Sequence, residues 1–168
     1  LLDQSKLNAL GASSLLLGGA RTIDGEATRI DTIASQVVVK NSGVADTAQT
    51  LVGPELMLTA KDEVKIEAGS RIEAVGDAFA RKVLLNGDGA FLSVAAGAPA
   101  VVTRKDASSP STQGDLVLAE GATVAGQALI FDATRNNSLA GIVELGTLQA
   151  DKTRNGGFVT IGAGRINI

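Results

Sequence analysis

The residues of this chain that could perform acid–base chemistry cluster in one short stretch. The chain contains no histidine and no cysteine, which excludes Ser-His-Asp and Cys-His catalysis as well as histidine and thiolate metal sites. Carboxylate chemistry remains, of the kind that carbohydrate-cleaving enzymes perform with paired acidic side chains. The candidates are the charged residues Asp62, Glu63, Lys65, Glu67, Arg71 and Glu73.

These six side chains also have a simpler interpretation as the solvated outer face of a strand and two turns. A sugar-binding cleft usually supplies aromatic rings for stacking, whereas only 2% of this chain is aromatic and it has neither Trp nor Tyr. The second interpretation is therefore favoured. We predict that the protein is not an enzyme and has no catalytic residue, no cofactor-binding residue and no metal site.

Composition restricts the possible classes of protein further. The chain has 168 residues, and 45% of them are hydrophobic, which favours one folded domain over disorder. Its net charge is −3, and it shows neither a basic stripe nor the aromatic platform on which bases stack, so we predict no nucleic-acid binding. It begins with Leu1 rather than Met, and we expect it to be a fragment of a longer polypeptide.

One phrase recurs along the chain and must position these residues. It consists of two apolar residues in alternation, a glycine three positions later and another apolar residue three positions after that. Its first copy is Val64, Ile66, Gly69 and Ile72. Further copies are Leu92, Val94, Gly97 and Ala100, then Leu116, Leu118, Gly121 and Val124, and finally a tighter Val159, Ile161, Gly164 and Ile166.

Short strands separated by a fixed turn are typical of a solenoid, because each coil buries its inward face only by stacking on its neighbours. The near absence of aromatic residues favours a narrow, layered interior over a β-sandwich core. We therefore predict an all-β protein, a right-handed parallel β-helix, over residues 1–168. Coils of about 20 to 28 residues would give roughly six to eight coils and a rod roughly 30 to 40 Å long.

Several local features complete this prediction. Gln36–Lys40 is expected to be a strand closed by a turn at Asn41–Gly43, whereas a helix over Leu7–Leu17 is weakened by Gly11 and two serines. The phenylalanines are expected to fill or cap the core: Phe79, Phe91, Phe131 and Phe158. Some asparagines are expected at turns, where their amides would stack along the rod: Asn86, Asn136, Asn137 and Asn155.

The segment Arg104–Gln113, RKDASSPSTQ, is charged, rich in serine and interrupted by Pro110. We expect it to be a surface loop inserted in one coil, because the repeated phrase resumes at Leu116. Loops carry binding residues more often than the scaffold does. This loop is therefore the most plausible partner-facing feature of the chain.

Three stretches together resemble the filamentous haemagglutinin family: LNALGASSLLLGGAR at Leu7–Arg21, GPELML at Gly53–Leu58, and the glycine phrases. The resemblance covers most of the chain. It implies a right-handed parallel β-helix rod, export across the outer membrane by two-partner secretion, and a role in adhesion or biofilm. The amino-terminal secretion domain of that family is not visible here, so the resemblance implies an interior segment of the shaft.

The sequence therefore predicts a structural and adhesive shaft segment of a secreted bacterial surface protein. Its expected partners are receptors or glycans of host or neighbouring cells, together with the outer-membrane secretion partner of the parent protein. Two alternatives stay open: a β-helix that binds or cleaves polysaccharide, and a trimeric fibre segment, which would need an apolar stripe on its outer surface. Because terminal coils expose strand edges, we also expect end-to-end self-association.

Overall fold

The computed structural model describes residues 2–41 and 50–168, and nearly all of the regular secondary structure in this part of the chain is β-strand, as predicted. No helix in this range has the length and apolar character needed to cross a membrane. The elements are α1 (Gln4–Ala9), β1 (Leu15–Leu17), β2 (Gly19–Asp24), β3 (Ala27–Thr32), β4 (Gln36–Val39), β5 (Leu51–Gly53), β6 (Glu55–Ala60), β7 (Glu63–Ile66), β8 (Arg71–Ala74), β9 (Lys82–Asn86), β10 (Ala90–Ala95), β11 (Val101–Lys105), β12 (Asp115–Leu118), β13 (Thr123–Gly126), β14 (Ala128–Leu139), β15 (Ile142–Leu145), β16 (Thr147–Leu148), β17 (Arg154–Asn155) and β18 (Phe158–Asn167).

Most of these strands form three walls around one core. The first wall contains β1, β6, β10 and the first halves of β14 and β18. The second wall contains β4, β7, β12 and the second halves of β14 and β18. The third contains β5, β8, β13 and β15. The β14–β18 ladder shifts register between Ala133 and Asn136, which is where both strands pass from the first wall to the second.

The core is built by the alternation of side chains along each strand. Leu58 of the first wall, Ile66 of the second and Ile72 of the third are all fully buried in the same cluster. Burying each such side chain contributes roughly 1.5 to 3 kcal/mol. Because successive side chains of a strand point to opposite faces, the intervening charged residues Lys65 and Glu73 point away from this core.

Two copies of the repeated phrase stack on each other as predicted. Val64 pairs with Leu116 and Ile72 with Val124. Between these strands Gly69 and Gly121 turn the chain with φ values of +76° and +79°, a conformation that costs little only for glycine. The amide of Gly69 donates to the carbonyl of Gly121 at 3.1 Å, so the two corners are themselves hydrogen-bonded.

The other two copies do not occupy equivalent positions, and these predictions were wrong. Leu92 and Val94 lie in β10, which runs antiparallel to both of its neighbours, β6 and β14. Gly97 lies in a bend that packs against the carbonyl of Ala78, and it lacks the positive φ of Gly69 and Gly121. Val159 and Ile161 lie in β18, in the first wall rather than the second, because the phrase specifies an apolar strand and a bend but not the wall.

A second layer of structure lies outside the first wall. Strands β11, β9, β3 and β2 form a separate sheet in that order, called here the outer sheet, in which β2 and β3 are antiparallel. Its apolar face packs on the outer side of the first wall in a second cluster formed by Ile30, Val83, Leu85, Met57 and Phe91. The sheets are therefore mixed, and the expectation of uniformly parallel strands was wrong.

The number of coils was also overestimated. The described strands stack in five levels in the first and second walls, which spans about 19 Å at a strand spacing of about 4.8 Å. The stack has fewer levels than predicted because four strands belong to the outer sheet instead of the three walls, namely β2, β3, β9 and β11. Those residues add thickness to one side of the molecule and no length.

The helix α1 covers one end of this stack. It begins at Gln4 rather than at Leu7, and Leu7 packs against the main core. The side chain of Asn8 donates to the carbonyl of Thr50 at 2.7 Å and accepts from the amide of Val52 at 2.9 Å. These bonds satisfy backbone groups of the terminal strand β5, whose edge would otherwise be open.

The remaining local predictions had mixed outcomes. The strand at Gln36–Lys40 is β4, whereas Ser42 and Gly43 of the turn after it lie outside the described residues. Phe91 and Phe131 are fully buried, but Phe79 is 85% exposed and Phe158 is 55% exposed, so only two of the four rings fill the core.

The predicted ladder of stacked asparagine side chains does not run along the molecule within residues 2–41 and 50–168. Asn136 and Asn137 lie within β14 rather than at a turn. The amide of Asn167 donates to Asn136 at 2.8 Å, and Asn137 is buried and donates to the carbonyl of Gly162 at 2.9 Å. These two bonds join the last two levels only.

Candidate functional site

The six charged candidates are divided between two walls, so they do not form one site. Glu63 and Lys65 lie on β7 in the second wall, whereas Arg71 and Glu73 lie on β8 in the third. The remaining two have separate partners: Asp62 accepts from the side chain of Gln113 at 2.9 Å, and Glu67 lies 3.6 Å from Lys40. Glu63 accepts from Gln36 at 2.7 Å.

Arg71 and Glu73 instead join a charge network on the outer face of the third wall. Arg71 donates two hydrogen bonds to Glu144, at 2.7 and 3.0 Å, and its Nε lies 3.4 Å from Glu73. Arg154 donates to Glu73 at 3.0 Å and to the carbonyls of Gly146 and Ala74 at 2.9 and 3.0 Å. We call these four residues, Arg71, Glu73, Glu144 and Arg154, the charge clamp.

The charge clamp is balanced, with two arginines and two glutamates. Hydrogen bonding by Arg71 lowers the pKa of Glu144, and hydrogen bonding by Glu144 raises the pKa of Arg71. Glu144 is therefore held ionised at neutral pH, whereas a general acid needs a raised pKa. The network covers Ala125 of β13, which is fully buried, and it ties β17 to β8 across the intervening strands.

The sequence drew attention to half of the charge clamp and missed the other half. Arg71 and Glu73 belong to the best-defined copy of the phrase, but Glu144 and Arg154 lie 73 and 81 residues away along the chain. One signal for Glu144 was available in the sequence: it lies in Ile142–Leu148, which can be interpreted as a degenerate copy of the repeated phrase. No comparable signal marks Arg154, which lies in a two-residue strand after a polar turn.

The predicted loop at Arg104–Gln113 begins two residues later than expected. Arg104 and Lys105 belong to β11, and Arg104 is a buried anchor rather than a loop residue. It donates to Asp132 at 2.8 Å through Nε and at 2.5 Å through a terminal nitrogen, and to the carbonyl of Gly87 at 2.9 Å. This pair fixes the start of the loop to the first wall.

The rest of the loop, residues 106–113, is held at both ends. The carboxylate of Asp88 accepts from the amide of Ser108 at 2.7 Å, and this backbone hydrogen bond lowers the pKa of Asp88. The hydroxyl of Thr134 donates to the carbonyl of Gln113 at 2.7 Å. An exposed polar loop with such fixed ends presents its serines in a defined arrangement.

A groove runs between this loop and the bend where β14 and β18 change walls. Its larger part has a volume of about 540 Å³, and a second part of about 410 Å³ adjoins it through two shared residues, Ser111 and Arg165. We call the two parts together the loop groove. Its polar lining comprises Arg104, Ser108, Ser109, Ser111, Thr112, Asp132, Thr134, Arg135, Asn136 and Arg165.

Three of the four charged residues that line the loop groove are arginines. Arg104 is neutralised by Asp132, and Arg135 lies 3.4 Å from Asp115 in an ion pair. Among the residues that the structure describes, no acidic side chain lies within 4.0 Å of Arg165, which is exposed. Arg165 is therefore the one arginine of the groove without a carboxylate partner among the described residues.

The end of the stack opposite α1 exposes a long strand. β18 pairs with β14 and with no other described strand, so its second edge is open. Several of its apolar side chains are exposed, including Phe158, Val159 and Ile166. We call this the β18 edge.

Comparison with known proteins gives no relative. No family model matches the chain, and no curated protein or solved structure matches it either. The chemistry of these three features, the charge clamp, the loop groove and the β18 edge, therefore has to be argued from their own geometry.

Proposed function

We propose that this chain is a shaft segment of a secreted bacterial surface protein of the filamentous haemagglutinin type, with a structural and adhesive role. The observation that carries the proposal is the in-register stacking of strands in the second and third walls around an aliphatic core. A stack of this kind gains stability with each added level and needs no independent globular core. Such a segment would extend a rod and display its loops along the side.

In this proposal the three walls form a right-handed β-helix that carries an insertion. We number the levels from the α1 end, in the order β1, β6, β10, β14 and β18 of the first wall. In level two the chain passes through the three walls as β6, β7 and β8. In level four it passes through them in the same order, as the two halves of β14 and then β15. In the third level the chain leaves to build β9 and β11 of the outer sheet, and β10 consequently enters the first wall in the reverse direction. The second and third walls of that level, β12 and β13, keep the parallel register.

The charge clamp supports a structural rather than a catalytic role. Its carboxylates are paired with arginines, and hydrogen bonding by Arg71 lowers the pKa of Glu144, the opposite of what a general acid needs. We expect no release of reducing ends or unsaturated products when the protein is incubated with neutral and acidic polysaccharides. Turnover that is lost in Glu73→Gln would contradict this role and would favour the alternative of a carbohydrate-cleaving β-helix.

The outer surface favours a single shaft over a trimeric fibre. A trimer would need a continuous apolar stripe, whereas the outward positions of the second wall include Glu63, Lys65, Asp115, Asn136 and Arg165. The outer side of the first wall is covered by the outer sheet, and that of the third carries the charge clamp. The longest open strand edge among the described residues is the β18 edge, 10 residues long, at one end of the stack.

The experiment that tests the shaft proposal measures association through the β18 edge. Since a shaft segment stacks coil on coil, the chain should associate as its concentration rises. Size-exclusion chromatography with light scattering measures this association from about 1 to 500 µM, a range that covers dissociation constants of moderate affinity. Thr160→Lys places a charge in the middle of β18 and should suppress this association, because charges on edge strands oppose pairing.

The matched control is Ala20→Lys, which places the same charge on β2, the edge strand of the outer sheet. It should associate as the unmodified chain does. A chain that stays monomeric over the whole range, or two variants that behave alike, would contradict the use of the β18 edge for stacking. Circular dichroism of both variants establishes that each remains folded.

The proposed partners follow from the same role. A shaft segment would meet receptors or glycans of host or neighbouring cells along its sides, and its parent protein would need an outer-membrane secretion partner. Of the charge clamp, the loop groove and the β18 edge, the loop groove is the one that combines a concave surface with an unpaired charge, that of Arg165.

A further inference from the structure

We propose that the loop groove binds an acidic saccharide and that Arg165 forms the principal contact with its carboxylate. This inference rests on the proposed function and deepens it, because it names the class of glycan that the side of the shaft would bind. The residues that line the groove all belong to one copy of the chain, so the site does not depend on stacking. A volume of about 540 Å³ lies within the range of about 300 to 1,000 Å³ that is usual for small-molecule sites.

Arg165 is the residue of the groove that is available to a ligand. It lies at the boundary between the two parts of the groove and lines both. Arg104 and Arg135 lie close to Asp132 and Asp115, respectively, so their charge is already compensated. The guanidinium group is planar and presents paired N–H donors that match a carboxylate in a bidentate arrangement.

The charge of the groove favours a ligand with one negative charge per unit. Two of its three arginines are paired with carboxylates, Arg104 with Asp132 and Arg135 with Asp115, whereas Arg165 has no such partner among the described residues. A uronate carries one negative charge on each sugar. A phosphate ester or a densely sulfated sugar carries more negative charge than one unpaired arginine balances, and its excess charge would lie close to Asp132.

The remaining lining favours a saccharide over an acidic peptide. Ser108, Ser109, Ser111 and Thr112 bring hydroxyl groups to one side of the groove, and a hydroxyl both donates and accepts hydrogen bonds, as sugar hydroxyls do. No aromatic side chain lines either part. A neutral sugar, which usually stacks on an aromatic ring, would therefore bind weakly. For an acidic sugar, the contact between its carboxylate and Arg165 would fix its orientation in the groove.

The backbone on the side opposite the loop is held in an unusual conformation. Ala163 lines the groove with a φ of +78°, a left-handed conformation that residues with a Cβ adopt uncommonly. Its neighbour Gly164 packs so closely on the carbonyls of Thr134 and Arg135 that a Cβ there would lie about 2.5 Å from both oxygens. Strain of this kind is concentrated at functional sites, and here it orients the backbone immediately before Arg165.

The test measures binding of polygalacturonate to the purified chain by isothermal titration calorimetry. Neutral dextran, poly-L-glutamate and dextran sulfate are titrated in parallel. We expect polygalacturonate to bind, and Arg165→Gln to weaken this binding at least tenfold. Arg165→Lys should be intermediate, because it keeps the charge but loses the paired donors. The matched control Lys6→Gln removes the same charge from α1, at the opposite end of the stack, and should change the affinity less than twofold.

Each other outcome overturns the proposal. Equal affinity of Arg165→Gln and Lys6→Gln would show that net charge, not the groove, attracts the polymer. Poly-L-glutamate or dextran sulfate binding as tightly as polygalacturonate, with the same dependence on Arg165, would exclude a saccharide carboxylate as the specific ligand. Absence of polygalacturonate binding to the unmodified chain would reject the site itself. None of these results depends on the β18 edge, so the groove and the shaft are tested separately.

Discussion

Substitution of Arg154 tests the interpretation of the charge clamp as a structural device. Its side chain is only 5% exposed and donates to Glu73 and to the carbonyls of Gly146 and Ala74. In Arg154→Ala these acceptors lose their donor, and removing one partner of a buried ion pair costs about 3 to 5 kcal/mol. Interpreting the clamp as a catalytic cluster predicts the opposite, because substitution of strained catalytic groups often leaves stability unchanged or raises it.

The structure indicates the lower end of that range. In this variant Glu73, which is 17% exposed, keeps its ion pair with Arg71 at 3.4 Å, so its charge is not left without a partner. The Nε of Arg154 is already buried without a hydrogen-bond partner, a cost that the alanine removes. We therefore expect a loss of about 3 kcal/mol in the free energy of unfolding, which corresponds to a fall in Tm of about 6 to 12 °C for a domain of this size.

The assay is urea unfolding followed by circular dichroism, with m taken as about 2 kcal/mol/M, which places the expected shift of the midpoint near 1.5 M. The control is Arg29→Ala, which breaks an ion pair with Asp31 in which both side chains are 47% exposed. Such pairs contribute about 0.5 kcal/mol or less. If Arg154→Ala falls within about 0.5 kcal/mol of this control, the charge clamp does not hold the third wall together, and the reasoning fails.

Two further predictions address the corner turns and the pH dependence of stability. Gly121→Ala forces a φ of +79° on a residue with a Cβ and should lower the free energy of unfolding, measured in urea, by about 1 to 2 kcal/mol. The control is Gly162→Ala, where an added Cβ meets no other atom within 4 Å and should have little effect. An equal loss in both variants would exclude the left-handed corner as the cause. Because hydrogen bonding by Arg71 lowers the pKa of Glu144 in the folded state, the stability that Glu144 contributes should be complete above its unfolded pKa of about 4.3 and be lost as the pH falls through the folded pKa. Glu144→Gln should therefore lose less stability than the unmodified chain between pH 7 and pH 3, and an identical loss would contradict this assignment.

The sequence was sufficient for the second and third walls because their geometry is local. In Val64–Ile72 and Leu116–Val124 the alternation, the glycine and the next apolar residue all lie within nine positions of one another. The phrase therefore specifies a strand, a left-handed corner and a second strand in sequence. Two such units stack in register because their inward faces match, as Val64 and Leu116 do.

The first wall could not be predicted in the same way, since its direction depends on what the chain does elsewhere. β6 and β10 are buried on both faces, so Leu92 and Val94 carry no mark that distinguishes a parallel strand from an antiparallel one. The reversal of β10 follows from the position of β9 and β11 in the outer sheet, which is a long-range choice. The same reason applies to Arg154, whose partners lie 80 and 81 residues earlier.

The candidate binding site lies where the repeat is interrupted, and this position has a physical reason. The second wall at this level is set by β12, which keeps its register with β7 whatever length of chain connects β11 to it. Loop closure costs little more for a longer connection, so residues 106–113 are free to vary without a loss in core packing. The opposite side of the groove is the bend at Ala133–Asn136, where β14 and β18 must already leave ideal strand geometry to change walls. A variable loop facing a bend that is fixed by the scaffold gives a concave surface whose specificity can change while the stack stays intact. Under the proposed shaft function, we therefore expect changes in the sequence of residues 106–113 to alter binding, whereas changes in the charge clamp should alter stability.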